Sequence, residues 1–482
     1  MAYTEFILSQ EEGAAAYHAG YSVETPSTGE AAYGTTGTVD AGTPTVITCV
    51  GAVNTSLVAV GDWLTWDYTG VTERRMIIDI NGANITVHRA MTAGANKNIL
   101  VGGHLAGFRN AIAAIGSNVT AANWPASTPP PRLNVKAHAS TPPPQLKVNA
   151  HGGAAYNETK GVEVADFGTP NESLPFVIEA FNSTPGDLDW RTTTTRAVID
   201  WGTTAVHAMS PTDPSHRWVT LVNLDLRQST SGYGHLLNGN SYVNLRNCSL
   251  KRSGRNIPIA QRVSGVVERC LFWRDYDGPN ELLRVGSYGS LIDCVVRGNG
   301  DGVSVGVRLE QASQILRTLV TGCGQAIRMS LQGCSVIDCT LISNVSGIHL
   351  AEIVAAQVTC KGNIIANNSG YGISNGISGT PTVYLPNCGG NFFYNNTSGA
   401  HPATIIPMQA NTTLATDPFE NYAGGDYRIK TTSAAYGVRR NLPSGLDTDA
   451  SFLDAGAIQR LRSEGGGGVG ILINGGLIRG VR

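Results

Sequence analysis

The hydrophobic and polar positions between residues 217 and 400 repeat in short blocks. Eight five-residue segments can be aligned there, and each has an apolar fifth residue. The segments are VNLDL, RNCSL, ERCLF, IDCVV, LRTLV, IDCTL, KGNII and GGNFF, with central residues Leu224, Cys248, Cys270, Cys294, Thr318, Cys339, Asn363 and Asn391. Successive central residues are 24, 22, 24, 24, 21, 24 and 28 positions apart. A period of about 20 to 30 residues made of short β-type segments predicts a solenoid.

The positions within each segment predict how the coils stack. The third and fifth residues lie on one face of a strand, so both should point inward. Cysteine at the third position acts as a small hydrophobic residue, and we expect a buried, reduced ladder of Cys248, Cys270, Cys294 and Cys339. Asn, Asp and Gly at the second position tolerate left-handed backbone, which predicts a sharp corner there. The second residues are Asn223, Asn247, Arg269, Asp293, Arg317, Asp338, Gly362 and Gly390.

The region before the repeat divides into several parts. Strand-like segments such as TPTVITCVGA and NITVHRAM predict a small β-domain over residues 1–102, either an attachment module or an elaborated cap. Apolar residues at helical spacing in GHLAGFRNAIAAIG predict a capping helix within 103–125. The stretch 126–138 is then nearly repeated at 139–151, and this duplication predicts a laterally placed or edge strand with a stiff STPPP connector.

The last eighteen residues combine a glycine tether with apolar residues around an NGG turn. They predict a small hairpin over 465–482, which would be marginally stable alone. We expect it to dock on another subunit or partner by strand addition, with folding back onto the chain's own last coil as the alternative. The residues expected to form this assembly tail are Ile471, Leu472, Ile473, Leu477 and Ile478.

The repeated xNCxL segments resemble the right-handed parallel β-helix family, the pectate-lyase-like and phage-tailspike-like group. The resemblance covers about 130 to 460 and implies an all-β solenoid over 126–416, closed by a C-terminal cap over 417–464. Leucine-rich repeats are a poorer match because the LxxLxL pattern is absent, and propeller blades are about 40 to 45 residues long. The fold does not specify an activity, because one fold hosts many functions.

Composition limits the partners and the location. Charged residues make up only 15% of the chain and the formal net charge is −2, so we expect no nucleic-acid partner. No stretch of about 18 apolar residues exists, which argues against a membrane span. The first twenty residues lack the basic and apolar regions of a Sec signal. These features favour cytoplasmic synthesis and a final place in a virion or on an extracellular surface.

One segment concentrates residues that could carry chemistry. In WRDYDGPNELLR the catalytic candidates are Asp275, Asp277, Glu281 and Arg284, and the binding candidates are Trp273 and Tyr276, joined by Arg297 from the next coil. Members of the family that this chain resembles use clustered carboxylates for a metal, or paired carboxylates for glycoside hydrolysis. No acidic ladder recurs here and no histidines or cysteines have metal-ligand spacing, so we expect neither a metal nor another cofactor.

The pattern favours a structural β-helical virion protein: a phage fibre, spike or head-decoration subunit that assembles as a homo-oligomer with other virion proteins and binds surface glycans. The resemblance, not the sequence, suggests a trimer. Two alternatives remain open at this point. One is a polysaccharide lyase or glycoside hydrolase acting as a depolymerase through the acidic segment, and the other is a bacterial surface or filament protein.

Overall fold

The structure is a computed structural model, and it shows the expected all-β parallel solenoid. It describes residues 30–102 and 175–436 with internal gaps, together with 4–8, 112, 131–136, 156–157, 472–473 and 476–477. Three long sheets of parallel strands run along the solenoid, called sheets I, II and III. Sheet III has seven strands, which gives seven three-sided turns.

Successive strands within each sheet come from successive turns. Sheet I contains Thr4–Leu8, Pro131–Lys136, Phe176–Phe181, Val219–Val222, Asn244–Arg246, Val266–Glu268, Ser290–Ile292, Gln314–Leu316, Ser335–Ile337, Thr359–Lys361 and Asn387–Gly389. Sheet II contains Tyr156–Asn157, Ala197–Asp200, Leu224–Thr230, Ser249–Gly254, Leu271–Arg274, Val295–Arg297, Leu319–Thr321, Thr340–Ile342, Ile364–Ala366, Phe392–Tyr394 and Thr412–Thr413. Sheet III contains Leu237–Ser241, Ala260–Val263, Glu281–Val285, Val305–Leu309, Gln325–Met329, Ser346–Leu350 and Ile373–Asn375.

The solenoid core is formed by columns of inward apolar side chains. Phe272, Val296, Val320 and Leu341 pair in register on adjacent turns of sheet II, and all four are fully buried. The same hydrophobic cluster extends from Leu133 through to Ile405. Fully burying an apolar side chain of this size contributes roughly 1.5–3 kcal/mol, so stacking of turns is the main source of stability.

The predicted left-handed corners lie between sheets I and II. All eight second-position residues have positive φ, from 44° at Arg317 to 66° at Gly362. Asn, Asp and Gly adopt this backbone at low cost, whereas other residues lose about 1–2 kcal/mol. Arg269 and Arg317 therefore hold strained positions, with φ of 56° and 44°. Their side chains must be stabilised by contacts that the five-residue pattern did not reveal.

The third-position ladder links the turns by hydrogen bonds as well as by packing. The backbone N–H of Cys248 donates to Cys270 Sγ at 3.3 Å, and that of Cys270 donates to Cys294 Sγ at 3.3 Å. Further along, the N–H of Cys339 donates to Asn363 Oδ1 at 2.9 Å, and Asn363 Nδ2 donates to Asn391 Oδ1 at 2.8 Å. Cys270, Cys294, Asn363 and Asn391 thus each accept a hydrogen bond from the preceding turn.

A six-stranded antiparallel barrel lies within residues 30–102. Its strands, in order around the closed barrel, are Glu30–Val39, Val46–Cys49, Asn84–Val87, Val71–Asn81, Trp63–Tyr68 and Gly94–Gly102. The barrel has its own hydrophobic core, which includes Ile47, Leu64, Ile77 and Ile99. The strand Thr4–Leu8, by contrast, pairs in parallel with Pro131–Lys136 in sheet I.

The first copy of the duplicated stretch supplies an internal strand, so the predicted edge strand is wrong for this copy. Pro131–Lys136 is paired on one side with Thr4–Leu8 and on the other with Phe176–Phe181. A strand from the start of the chain occupies the side that local sequence left open. The second copy, 139–151, lies outside the described residues, as does the capping helix of 103–125 except for the buried Ile112.

The segment after the last turn packs against the side of sheet II. The strands Phe419–Asn421 and Asp426–Ile429 form an antiparallel hairpin. Phe419 and Ile429 join Ile342, Ile364 and other outward residues of sheet II in a separate hydrophobic cluster. The Tyr422 hydroxyl lies 2.8 Å from Ser343 Oγ.

Two further pairs of strands complete the described part. Val383–Leu385 pairs in parallel with Ile405–Pro407. In the tail, Leu472–Ile473 pairs in antiparallel fashion with Gly476–Leu477. The tail is therefore a hairpin. Ile471 and Ile478, like residues 437–464, lie outside the described residues.

Candidate functional site

The predicted chemical cluster is divided between two faces of the solenoid. Trp273 lies on sheet II in register with Arg297 of the next turn, so these two binding candidates are brought together. Glu281 and Arg284 lie on sheet III, because the chain passes from one sheet to the next between 275 and 280. Asp275 is half-buried at the end of the sheet II strand, and Tyr276 and Asp277 lie outside the described residues.

On sheet II, cationic and aromatic side chains alternate from turn to turn. Lys251, Trp273 and Arg297 occupy one register position on three successive turns. Asp225 accepts hydrogen bonds from Arg227 at 2.6 and 3.0 Å, and its Oδ2 lies 3.5 Å from Lys251 Nζ. Burial lowers the pKa of Lys251 to about 8. This part of the face is therefore a compact ion-pair network beside a tryptophan.

On sheet III, the catalytic candidates Glu281 and Arg284 are paired with each other. Arg284 Nε donates to Glu281 Oε1 at 2.8 Å. Burial acts to raise the pKa of Glu281, but hydrogen bonds from Arg284 hold that pKa below its ordinary value. A general acid needs the opposite, a carboxyl whose pKa is raised toward neutrality. Glu281 is thus ionised and paired, which suits a structural contact better than proton donation.

Sequence analysis missed a second carboxylate on this face, Glu310. It is 4% exposed and follows the strand Val305–Leu309. Glu310 forms an ion pair with Arg262, and its Oε1 lies 3.7 Å from Arg284 NH1. Glu310 therefore links two arginines that come from two earlier turns.

Sequence analysis also missed a row of basic residues along sheet III. Arg284, Arg308, Arg328 and His349 pair in register on four successive turns, and Arg262 precedes them on the turn before. The signal was present in the strands ELLRV, VGVRL, QAIRM and SGIHL, each of which has its basic residue in the fourth position. These strands share no xNCxL motif, so the alignment that revealed the repeat did not include them.

The row of basic residues ends at a histidine. His349 Nδ1 lies 2.9 Å from Ser374 Oγ on the next turn. Burial lowers the pKa of His349, and the neighbouring Arg328 lowers it further. His349 is therefore neutral at pH 7, and the permanent charges of the row come from its arginines.

The cysteines are placed as inert core residues. All nine are buried and none is in a disulfide. Burial raises the pKa of the Cys339 thiol to about 12, and also raises the pKa of Cys248 and Cys270. A thiol with so high a pKa is a poor nucleophile and a poor metal ligand. Cys248, Cys270, Cys294 and Cys339 therefore fill space and accept hydrogen bonds.

Two further features, metal binding and membrane crossing, concern the same described residues. There, no group of three or more His, Cys, Asp or Glu side chains is arranged to hold a metal ion. Nor does any helix in that part of the chain have the length and apolar character needed to cross a membrane.

Comparison of the chain with protein-family models, with curated proteins and with solved structures gave no match in any of the three cases.

Proposed function

We propose that this chain is a structural β-solenoid that assembles as a homo-oligomer in a virion, as a fibre, spike or head-decoration subunit. One observation carries the proposal. The catalytic candidate Glu281 accepts a hydrogen bond from Arg284 and is not part of an exposed pair of carboxylates. Asp293 is likewise bonded to Arg317, and Asp225 to Arg227. These carboxylates stabilise turns of the solenoid.

The architecture supports a mechanical role. Sheets I and II each have eleven parallel strands, and one hydrophobic cluster extends along the solenoid. Columns of inward Cys and Asn side chains add hydrogen bonds between turns. Such a structure is rigid because each turn is held by its neighbours on both sides. The same features fit a bacterial surface filament, which is the alternative setting for a structural protein.

The tail supports the assembly part of the proposal. Leu472–Ile473 and Gly476–Leu477 form a two-stranded hairpin. A hairpin of this size has little stability alone, and strand addition to a sheet edge of another subunit would stabilise it. The number of subunits follows from the resemblance to trimeric phage β-helix proteins and remains part of the proposal.

The first experiment is light scattering on a sizing column, with the full chain and a version that ends at Glu464. We expect an oligomer that becomes a monomer on truncation. A full-length double variant, Leu472→Ser with Leu477→Ser, is the control that keeps the tail length but removes its apolar side chains, and it should behave like the truncated chain. A monomeric full chain would contradict the proposal.

A second experiment addresses the depolymerase alternative. Wild-type protein and Glu281→Gln are incubated with a panel of acidic and neutral polysaccharides, and the chain length of each polysaccharide is followed. We expect no cleavage by either protein. Cleavage by wild type that is lost in a folded Glu281→Gln variant would establish an enzyme and overturn the non-catalytic proposal.

A further inference from the structure

Two arginines of the basic row on sheet III form no ion pair within the described residues. The carboxylates Glu281 and Glu310 form ion pairs with Arg262 and Arg284. Within the part of the chain that the structure describes, Arg308 and Arg328 form neither an ion pair nor a side-chain hydrogen bond, although both are half-buried. The ion-paired part of the row therefore ends at Arg284. Two guanidinium groups without an ion pair follow, and the first of them, Arg308, still lies within electrostatic range of Glu281.

This arrangement is unfavourable for the isolated protein. Strands in a parallel sheet are about 4.8 Å apart, and Arg308 lies directly between Arg284 and Arg328 in register. Like charges placed directly opposite each other on neighbouring strands destabilise a sheet. An anion from outside the chain that binds where the row has no ion pairs would relieve this repulsion.

The turn that carries Arg328 also lacks partners for uncharged groups. Gln325 Oε1 and Ser330 Oγ, which lie on either side of Arg328 in the chain, are buried without a hydrogen-bond partner, as is Arg328 Nε. Ser330 is 2% exposed. Buried polar groups without partners are rare and costly in folded proteins. All three atoms are almost inaccessible from outside, so they mark the surroundings of Arg328 as under-satisfied and are not direct contacts of a ligand.

Small residues run beside the basic row and leave room along it. Just after a sheet III strand, one small residue on each of four turns donates its backbone N–H to a carbonyl of the preceding turn. These residues are Gly286, Ser330, Ala351 and Gly376. A Cβ on Gly286 would lie 2.6 Å from Arg262 Cγ, and a Cβ on Gly376 would lie 2.4 Å from His349 Nε2. The two glycines therefore leave space for the basic side chains of the preceding turn to lie across them. Glu310 occupies the equivalent position on its own turn and is the charged exception.

We propose that Arg308 and Arg328, with His349 at the end of the row, form a binding site for an acidic polysaccharide that lies along sheet III. The planar guanidinium group matches the geometry of a carboxylate or a sulfate and donates two parallel hydrogen bonds to it. A polymer with acidic groups meets successive arginines on successive turns. The site is separate from the tail and does not depend on the proposed assembly.

The chemistry of the row favours a polysaccharide over a nucleic acid. Proteins that bind single-stranded nucleic acid combine a basic groove with aromatic side chains on which the bases stack. The register position of the row contains Arg284, Arg308, Arg328, His349 and Ser374, with no Phe, Tyr or Trp. The chain's formal net charge of −2 also provides no general attraction for a phosphate backbone.

The test is titration calorimetry of the full chain with four polymers at low salt: heparin as the sulfated polysaccharide, polygalacturonate as the carboxylated one, dextran as the neutral one, and single-stranded DNA. We expect binding of heparin, polygalacturonate or both, which distinguishes the two acid groups, and no binding of dextran. Arg308→Gln and Arg328→Gln should each weaken binding roughly tenfold, because each removes charge-assisted hydrogen bonds. Arg428→Gln is the matched control, since Arg428 is paired with Asp426 on the hairpin, and its affinity should be unchanged.

Several results would overturn the inference. These are no binding of either acidic polysaccharide, equal losses in Arg428→Gln and the two row variants, or DNA binding as tight as that of the polysaccharides. If a glutamine variant fails to fold, Arg328→Lys replaces it. Lys keeps the positive charge but loses the paired hydrogen-bond donors, so the affinity for the polysaccharide should fall less than it does with Gln. An unchanged affinity would count against the site. Sizing of the same samples shows whether assembly is intact, so a failure of binding is distinguished from a failure of oligomer formation.

Discussion

Asp293 and Arg317 occupy the same left-handed corner on two successive turns and form a two-point ion pair. Arg317 Nε donates to Asp293 Oδ1 at 2.6 Å, and its NH2 donates to Oδ2 at 3.0 Å. Their φ angles are 53° and 44°. The pair explains how an arginine is retained at a strained corner: its side chain holds the next turn in register, and this offsets the cost of its backbone.

The corner pair leads to a prediction about stability. Asp293→Ala should lower the free energy of unfolding by about 2–4 kcal/mol, because it removes the ion pair and places alanine in left-handed backbone. Asp293→Gly removes the same ion pair but tolerates the backbone, so it should be less destabilised by about 1 kcal/mol. Urea denaturation of both variants measures the difference. Equal losses would show that backbone strain at this corner is negligible.

A second prediction concerns the asparagine ladder. Asn363 is fully buried, accepts the N–H of Cys339 at 2.9 Å, and donates to Val336 O at 3.0 Å and Asn391 Oδ1 at 2.8 Å. Asn363→Ala leaves these groups without partners, and we expect a loss of about 2–4 kcal/mol on urea denaturation.

The control for the ladder is Asn395→Gly. Asn395 has an exposed side-chain contact with Asn367 and a φ of 46°, so glycine keeps the backbone and the loss should stay below about 0.5 kcal/mol. If Asn363→Ala is no worse than this control, the buried ladder does not stabilise the solenoid.

The buried thiols predict a loss of stability at alkaline pH. Burial raises the pKa of Cys339 from 9.0 to about 12. Between these values the unfolded chain releases the proton and the folded chain keeps it, so the contribution of this group is fully present below pH 9 and is lost as the pH rises toward 12. Urea denaturation between pH 8 and 11 in the presence of a reductant should show stability falling with pH. Cys339→Ala should show a shallower fall, and an identical slope would contradict this assignment.

Removing the Glu310 carboxylate should extend the part of the basic row that has no ion pair. Glu310→Gln removes the ion pair between Glu310 and Arg262 and weakens the contact of Arg284, and we expect a loss of stability of about 1–3 kcal/mol. If the row binds acidic polysaccharide, the same variant should bind heparin or polygalacturonate several-fold more tightly, because it frees cations beside Arg308. Glu268→Gln is the control, since Glu268 lies on sheet I and is 3.9 Å from Arg246. Weaker binding by Glu310→Gln would show that Glu310 is part of the site rather than its competitor.

Local sequence was sufficient to predict a structural feature wherever a repeat position accepts only a few residue types. A left-handed corner requires particular residues, so Asn223, Asn247 and Asp338 predicted corners that the structure shows, with φ of 57°, 50° and 54°. The apolar fifth position predicted the core in the same way. The predicted site was less well defined, because Trp273 and Glu281 are eight positions apart in the chain but belong to different sheets. Their separation depends on where the chain turns between sheets II and III.

The sequence by itself determined the solenoid, its period and its corners, because these depend on residue types that repeat at a fixed interval. Only the tertiary structure decided that Thr4–Leu8 pairs with Pro131–Lys136, since strand pairing between distant segments leaves no local pattern. The tertiary structure also decided which charges meet. Glu310 reaches Arg262 across 48 positions of the chain, whereas Arg308 and Arg328 form no ion pair within the described residues. The side chains that a residue faces in a solenoid come from the turns above and below it, and a local reading of the chain does not identify them.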